Sequence, residues 1–144
     1  MVHDPCSHRP RSRFRPIAEP LLIAALAFLA TGASLRNGFV WEDDRLILRS
    51  RGLRDAGSAW LFLDPRYWRE DHISAGTAYR PVRELSFAAD ARLWGGWAGG
   101  FHLTNVALHA ANSVLAYYLA VSLFGAGHVP LAAAALFAVH PLNT

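Results

Sequence analysis

Apolar residues are concentrated in three blocks along the chain, at positions 17–35, 106–124 and 129–139, with more polar stretches between them. A helix needs about 20 residues to cross the hydrocarbon core of a bilayer, so each of the first two blocks is long enough to be a transmembrane helix. We predict a third transmembrane helix over residues 129–144. Because the third block runs almost to Thr144, we expect the chain to be the front portion of a longer protein.

The first block allows two interpretations. Arginines between positions 9 and 15 precede it, and the small residues Thr31, Gly32 and Ala33 follow its apolar core, as in a cleaved signal peptide. The same arginines would hold a retained transmembrane helix, over residues 17–35, with its N-terminus in the cytoplasm. The block is short for a span and long for a signal core, so its residues leave the choice open. Residues 1–16 are rich in arginine and proline, and we predict a disordered cytoplasmic tail there.

Residues 36–105 form a long loop between the first two blocks, and the N-terminal arginines predict that it is extracytoplasmic. Two stretches of the loop, 56–63 and 81–94, have helical patterns. In the second stretch the apolar side chains share one face, which carries Val82, Leu85, Ala89 and Leu93. We predict short amphipathic helices that lie along the membrane surface. The alternative is a small helical core outside the membrane.

Charge and composition disfavour several classes of function. The net charge is +3, and the basic excess lies in the N-terminal arginines rather than on a folded face, so we predict no nucleic-acid binding. Cys6 is the only cysteine, which excludes an intrachain disulfide and argues against a cysteine-based metal site. The sequence has no phosphate-binding loop, dinucleotide-binding glycine motif, serine elbow or His-Glu-x-x-His motif. This disfavours a soluble enzyme that uses nucleotides.

Three acids, Glu42, Asp43 and Asp44, follow a few residues beyond the end of the first apolar block. Consecutive side chains on a helix are about 100° apart, so only one or two of the three can face the same ligand. One interpretation is a general base, or a carboxylate ligand for a divalent cation. The alternative is a solvated acidic turn in which one aspartate caps the next helix.

Arg80 and Arg83 flank the start of the predicted helix at 81–94. A helix N-terminus favours anions, and a guanidinium binds phosphate through two parallel hydrogen bonds. This arrangement would suit the phosphate of a lipid. The alternative is an exposed ion pair between Arg80 and Glu84, four residues later.

A polar stripe runs along the second apolar block. It consists of His102, Asn105, His109 and Asn112, which fall within an arc of about 80° on a helix. Polar side chains of a membrane helix turn towards the protein or a wet cavity. We expect a functional role for the two that lie near the outer end, and for the two deeper ones interhelical hydrogen bonds are an equal alternative. His140, at the end of the third block, would return to the side of the acids.

Several short motifs follow one another in a fixed order. They are Asn-Gly-Phe-Val-Trp-Glu-Asp-Asp at 37–44, Tyr-Arg-Pro-Val at 79–82, Leu-Ser-Phe-Ala-Ala-Asp at 85–90, Leu-Trp-Gly at 93–95, Gly-Phe-His-Leu-Thr-Asn at 100–105, Leu-His-Ala-Ala-Asn at 108–112 and Ala-Leu-Phe-Ala-Val-His-Pro-Leu-Asn-Thr at 135–144. Over about residues 17–144 the chain resembles the N-terminal part of the GT-C-type polytopic membrane glycosyltransferases. Within that class it is most similar to the TMTC-like, protein O-mannosyltransferase-related proteins, which often carry C-terminal tetratricopeptide repeats.

The resemblance implies an all-α membrane protein, the N-terminal part of a GT-C-like multi-span fold, with three spans and short surface helices in the first external loop. The first apolar block would then be a retained helix. Such enzymes transfer a sugar from a polyprenyl-phosphate donor to an acceptor hydroxyl at an active site on the extracytoplasmic face, and mannose is one candidate sugar. Because most spans of the family are missing from these 144 residues, we expect the isolated chain to be inactive.

The resemblance also implies roles for residues. The family's acidic motif falls on Asp43 and Asp44, one of which would be the base that activates the acceptor hydroxyl. Glu42 is an extra acid before that pair, so which two of the three acids correspond stays open. Arg80 would stabilise the negative charge that develops on the lipid phosphate.

The resemblance and the polar stripe together suggest further substrate-binding residues. His102 and His140 match family motifs, and Asn105 lies on the same stripe as His102. We expect all three to contact the donor or the acceptor, without assigning a chemical role to each.

This interpretation requires no cofactor, and a divalent cation held by Asp43 and Asp44 is left open. The expected partners are a polyprenyl-phosphate-linked sugar, membrane lipid, and an acceptor protein or glycan. The expected location is a bacterial inner membrane, with several spans and a cytoplasmic N-terminus. Two alternatives stay open: a non-catalytic membrane protein for interaction or assembly, and an exported protein whose first block is cleaved.

Overall fold

A computed structural model describes residues 17–40, 43, 47, 59–67 and 79–140. These residues contain α-helices and 3₁₀ helices and no β-strand, in agreement with the predicted all-α class. The predicted tail at 1–16, the acids Glu42 and Asp44, and residues 141–144 lie outside the described part of the chain.

The first helix, α1, spans Ala18–Thr31 and is followed by a 3₁₀ helix at Gly32–Arg36. Pro20 is accommodated because it lies in the first turn, where a backbone N–H has no intrahelical partner. The Thr31 hydroxyl donates a hydrogen bond to the Ala27 carbonyl at 2.9 Å, one turn back. The α-helix ends at this residue, before Gly32.

The loop contains the predicted helix at its predicted bounds. Helix α2 spans Pro81–Trp94, with proline in its first turn and Gly95 directly after it at φ 62°. Only glycine adopts this left-handed backbone at no steric cost, which explains why the helix ends before Gly95. The other predicted stretch, at 56–63, is a 3₁₀ helix at Ala59–Leu63 that packs against α2. Positions 56–58 are not among the described residues.

Helix α3 spans Ala98–Phe124, so it begins eight residues before the predicted start at position 106. The first turn of the helix contains Gly99 and Gly100, which pack beneath tryptophan rings where a larger residue would not fit. With 27 residues the helix is about 40 Å long, which exceeds the hydrocarbon thickness of about 30 Å.

Helix α4 spans His128–Val139. It ends there because His140 precedes a proline in the sequence, which disfavours helical backbone at the preceding residue. Its 12 residues rise by about 18 Å, less than the thickness of a bilayer core. Among the described residues, two helices are long and apolar enough to cross a membrane, Ala18–Arg36 and Ala98–Phe124. The third span and the GT-C topology therefore stay predictions.

The chain forms two compact units, one from Met1–Thr31 with Leu108–Thr144, the other from Gly32–Ala107. In the first unit α1 packs against α4, and Ile23, Tyr117 and Ala134 form the centre of the core. The Tyr117 hydroxyl donates a hydrogen bond to the Glu19 carboxylate, 98 positions away in the sequence.

In this unit α1 and α4 bury mostly small residues, and many of the large apolar residues face outward. The buried positions of α1 and α4 are Pro20, Ile23, Ala27, Thr31, Pro130, Ala134 and Ala138. The exposed positions include Leu21, Leu22, Leu29, Leu115, Leu119, Leu123 and Leu136. Soluble proteins bury their large apolar side chains, whereas lipid solvates them and close helix packing favours small residues. This arrangement is typical of membrane helices.

Candidate functional site

Asp43 is held in a turn by its own backbone and side chain. Its N–H donates to the Val40 carbonyl at 3.0 Å, and its Oδ2 accepts from the Val40 N–H at 3.3 Å. These two contacts fit the turn-capping interpretation of the acid. No other hydrogen bond to this carboxylate occurs among the described residues, so it keeps acceptor capacity for a ligand.

An aromatic contact joins the segment before this turn to the start of α3. The rings of Phe39 and Phe101 meet edge to face, with centroids 5.4 Å apart and planes at 75°. Phe101 is buried and directly precedes His102. The contact therefore joins the residue four positions before Asp43 to the first turn of α3, which the sequence analysis did not predict.

Arg80 is exposed at the residue before α2, and its guanidinium has no partner among the described residues. The alternative ion pair with Glu84 is not formed. Glu84 is buried and is instead held by Arg83, whose Nε and Nη2 lie 3.1 and 2.7 Å from Glu84 Oε1. Arg80 is thus the guanidinium left available for an anion at this helix start.

The polar stripe on α3 is divided by burial. His102 and His109 lie on the side of the helix that faces protein, and the His102 Nε2 atom is buried with no hydrogen-bond partner in the described part of the chain. Asn105 and Asn112 are exposed at the edge of that side. A buried ring nitrogen without a partner is unusual in proteins, so this atom is able to form a hydrogen bond with a polar group of a substrate.

His109 forms an interhelical hydrogen bond, which is the alternative to a functional role for this residue. Its Nε2 lies 2.9 Å from the Ala138 carbonyl, and its ring stacks on Phe137 with centroids 5.9 Å apart. Because a carbonyl only accepts, Nε2 carries the proton here. The bond satisfies a carbonyl in the last turn of α4, which has no partner within its own helix.

The predicted site residues do not all belong to one unit. Asp43, Arg80, His102 and Asn105 are in Gly32–Ala107, whereas His140 is in the unit that contains Leu108–Thr144. No hydrogen bond or ion pair joins Asp43, Arg80 and His102 in the described ranges. These ranges also contain no group of three or more His, Cys, Asp or Glu residues able to hold a metal, although they leave out Asp44.

A buried polar network connects α2 to α3, and the sequence analysis missed it. The Thr104 hydroxyl donates to Asp90 Oδ1 at 2.7 Å and accepts from Trp94 Nε1 at 3.2 Å. Asp90 is almost fully buried. Asp90 and Thr104 both occur in the motifs quoted for the family resemblance, and a buried acid needs a donor. The presence of a buried acid and a hydroxyl donor in two of these motifs was the sequence feature from which the hydrogen bond could have been predicted.

Comparison with known proteins identifies relatives of the whole chain. No family model and no solved structure matches it. It is 35% identical to protein O-mannosyl-transferase Tmtc1 of Drosophila melanogaster over 99% of the chain, and 34% identical to Tmtc2 of the same species over 86%. It is 30% identical to human TMTC4 over 94%. The chain belongs to the TMTC family. It spans only 17%, 14% and 20% of the lengths of these three TMTC proteins.

Proposed function

We propose that this chain is part of a membrane glycosyltransferase that moves a sugar from a polyprenyl-phosphate donor to a hydroxyl group of an acceptor protein. The supporting observation is its similarity, over nearly all of its length, to TMTC proteins that are named as protein O-mannosyl-transferases. Mannose is therefore the first sugar to test.

Asp43, with Asp44 beside it in the sequence, is the proposed base. The acceptor hydroxyl gives its proton to the carboxylate as its oxygen bonds to the anomeric carbon of the sugar. The bond from that carbon to the phosphate oxygen breaks, and the polyprenyl phosphate leaves with the bonding electrons. The Val40 contact supports this assignment because it fixes one carboxylate oxygen and leaves acceptor capacity on the group.

Arg80 is the proposed partner of the departing phosphate. Negative charge accumulates on that group as the bond breaks. A positioned cation lowers the barrier to the extent that it stabilises the transition state more than the ground state. Support comes from the exposure of Arg80 and from the pairing of Glu84, four residues later, with Arg83.

His102, Asn105 and His140 are proposed to bind donor or acceptor groups. The buried, unpartnered Nε2 of His102 supports this for one of them. Asn105 and His140 are exposed.

We also propose that the acids face the extracytoplasmic side, that the N-terminus is cytoplasmic and that the membrane is a bacterial inner membrane. No cofactor is needed for the base, and a divalent cation at Asp43 and Asp44 is tested by adding a chelator.

The test uses membranes that contain the complete product of the gene, a mannosyl-phosphoryl polyprenol labelled in the sugar, and a peptide rich in serine and threonine. Asp43→Asn together with Asp44→Asn should lower transfer by about 10²- to 10⁴-fold, because the base is lost. Arg80→Gln should lower it by about 10²- to 10³-fold.

Asp64→Asn is the matched control. Asp64 Oδ1 accepts from the Arg66 N–H at 2.8 Å, so the carboxylate of this aspartate, like that of Asp43, bonds a backbone N–H in a turn of the same loop. Its variant should transfer the sugar at the wild-type rate. Full activity of the Asp43/Asp44 variant would show that the base assignment is wrong. Absence of transfer by the wild type would favour a non-catalytic membrane protein.

A further inference from the structure

One side chain fastens the segment that leads into the turn of Asp43. Every residue from 36 to 40 is exposed except Phe39, which is half-buried. The ring of Phe39 meets the ring of Phe101 edge to face, and such a pair stabilises a contact beyond what its buried area alone provides. Phe39 is therefore the side chain through which positions 36–40 are held to the start of α3.

The ring of Phe101 belongs to a part of α3 that is tied to α2. Phe101 is 3% exposed and lies in the first turn of α3. In the next turn the Thr104 hydroxyl donates to Asp90 and accepts from the Trp94 ring N–H. Gly100 lies beneath the same tryptophan ring. A satisfied buried polar network makes the surrounding structure rigid, so Phe101 is a fixed support for Phe39.

A short stretch of chain connects Phe39 to Asp43. Val40 directly follows Phe39, and its carbonyl and N–H bond the N–H and the carboxylate of Asp43. The ends of such a four-residue turn lie within about 7 Å, so the Cα atoms of Phe39 and Asp43 are at most about 11 Å apart. All these residues belong to the unit Gly32–Ala107. Because both bonds to Asp43 come from Val40, a displacement of Phe39 also displaces the carboxylate.

We propose that Phe39 is a positioning residue for the proposed base, because its ring on Phe101 holds the turn of Asp43 in a fixed place relative to the start of α3. This inference rests on the proposed function, in which Asp43 accepts a proton from the acceptor hydroxyl. Phe39 acts through Asp43 and needs no contact with the reacting atoms. A base must lie within hydrogen-bond distance of the proton that it accepts, and a misplacement of about 1 Å lowers a rate by about 100-fold.

The kinetic test uses the same membranes, labelled donor and peptide as the test of Asp43. Phe39→Leu keeps an apolar side chain and removes the ring. It should lower kcat by about 10- to 100-fold and change the KM for the donor by less than about twofold, because donor binding does not require the base. Phe39→Tyr keeps the ring and should recover most of kcat. In a protein that already carries Asp43→Asn and Asp44→Asn, Phe39→Leu should cause no further loss.

Phe62→Leu is the matched control. Phe62 is buried and meets the Tyr67 ring edge to face, with centroids 5.5 Å apart and planes at 85°, within the same unit. The same substitution therefore removes the same kind of contact at a position far from Asp43 in the sequence. Its kcat per folded enzyme should equal that of the wild type. A loss as large as that of Phe39→Leu would show that any lost ring in this unit impairs transfer, and it would overturn the positioning role.

A second measurement does not depend on sugar transfer. The complete product of the gene, with Cys6 and any further cysteine replaced by serine, carries a nitroxide label at Val40→Cys. Val40 is exposed, and its bonds to Asp43 use only its backbone atoms. In the electron paramagnetic resonance spectrum, Phe39→Leu should make this label more mobile, Phe39→Tyr should restore the wild-type spectrum, and Phe62→Leu should leave it unchanged. Unchanged mobility in Phe39→Leu would overturn the proposal regardless of the activity of the protein.

The two measurements separate failure of this inference from failure of the proposed function. An equal loss of kcat from Phe39→Leu with and without the carboxylates of Asp43 and Asp44 would overturn the positioning role and leave the proposed function intact, since the effect would not act through the base. Full activity of the Asp43/Asp44 variant, together with a more mobile label in Phe39→Leu, would overturn the base assignment although the ring contact holds the turn.

Discussion

Two glycines at the start of α3 lie directly beneath the rings of tryptophans. A Cβ atom at Gly99 would be 2.8 Å from Trp97 Cε2, and one at Gly100 would be 2.6 Å from Trp94 Cβ. Both distances are far below van der Waals contact. The two rings also meet edge to face, with centroids 5.8 Å apart. The close approach fixes the corner between α2 and α3, next to the network of Asp90 and Thr104.

Gly100→Ala should therefore destabilise the protein, although alanine normally stabilises a helix relative to glycine by about 0.5–1 kcal/mol. The new methyl group would overlap Trp94 Cβ, which can move only with its backbone, and such overpacking costs about 1–3 kcal/mol. Thermal unfolding in detergent measures the effect. Gly96→Ala is the control, because the space around Gly96 is open. If Gly100→Ala unfolds at a higher temperature than the wild type, the packing described here is wrong.

At the scale of helices, periodicity predicted which residues share a face but not what that face contacts. The helix at Pro81–Trp94 has its predicted bounds because proline and glycine determine its ends through backbone geometry alone. Its apolar face is exposed, however, and although Glu84 is paired with Arg83 of the same helix, Asp90 is buried against a donor on another helix, Thr104 of α3. Such partners are set by tertiary packing, so a pattern within one helix does not contain them.

The stripe on α3 shows the same limit. Its spacing correctly predicted a shared arc, yet the arc lies across the boundary between buried and exposed surface, so His109 is buried and Asn105 is not. The acidic turn was predictable as either a cap or a functional group, and the described contacts of Asp43 are compatible with both. The contact of Phe39 with Phe101 joins residues 62 positions apart, and no local pattern indicates it.

The hairpin of α3 and α4 allows a test of the bond between His109 and the Ala138 carbonyl. His109→Leu should destabilise the protein by about 1–3 kcal/mol, because a buried carbonyl in the last turn of α4 loses its donor. His109→Gln keeps an N–H donor on a side chain of similar reach and should recover part of this loss. Thermal unfolding in detergent compares the two. Equal stability of the two variants would show that ring packing against Phe137, and not the hydrogen bond, is what matters.

At the scale of the whole molecule, the two ends of the chain form one compact unit and the long loop forms the other. The first unit depends on contacts between α1 and residues nearly 100 positions later, such as the bond from Tyr117 to Glu19. The sequence predicted the helices of this unit from their apolar content, but the pairing of α1 with α4 was not foreseen. Apolar content alone does not specify which helices pair in lipid, where small residues determine packing.

The sequence-based prediction that Asp43 and His140 face the same side of the membrane leads to a labelling experiment. Asp43→Cys and His140→Cys, each with Cys6→Ser, should both react with a membrane-impermeant maleimide added from the extracytoplasmic side. Ala126→Cys, in the exposed turn between α3 and α4, should react only from the cytoplasmic side. Because α4 rises by about 18 Å and the bilayer core is about 30 Å thick, the reagent reaches position 140 only through a water-filled cavity open to the outside. A polar site within the membrane requires such a cavity. Reaction at 140 from the cytoplasmic side, or from neither side, would remove His140 from the proposed site.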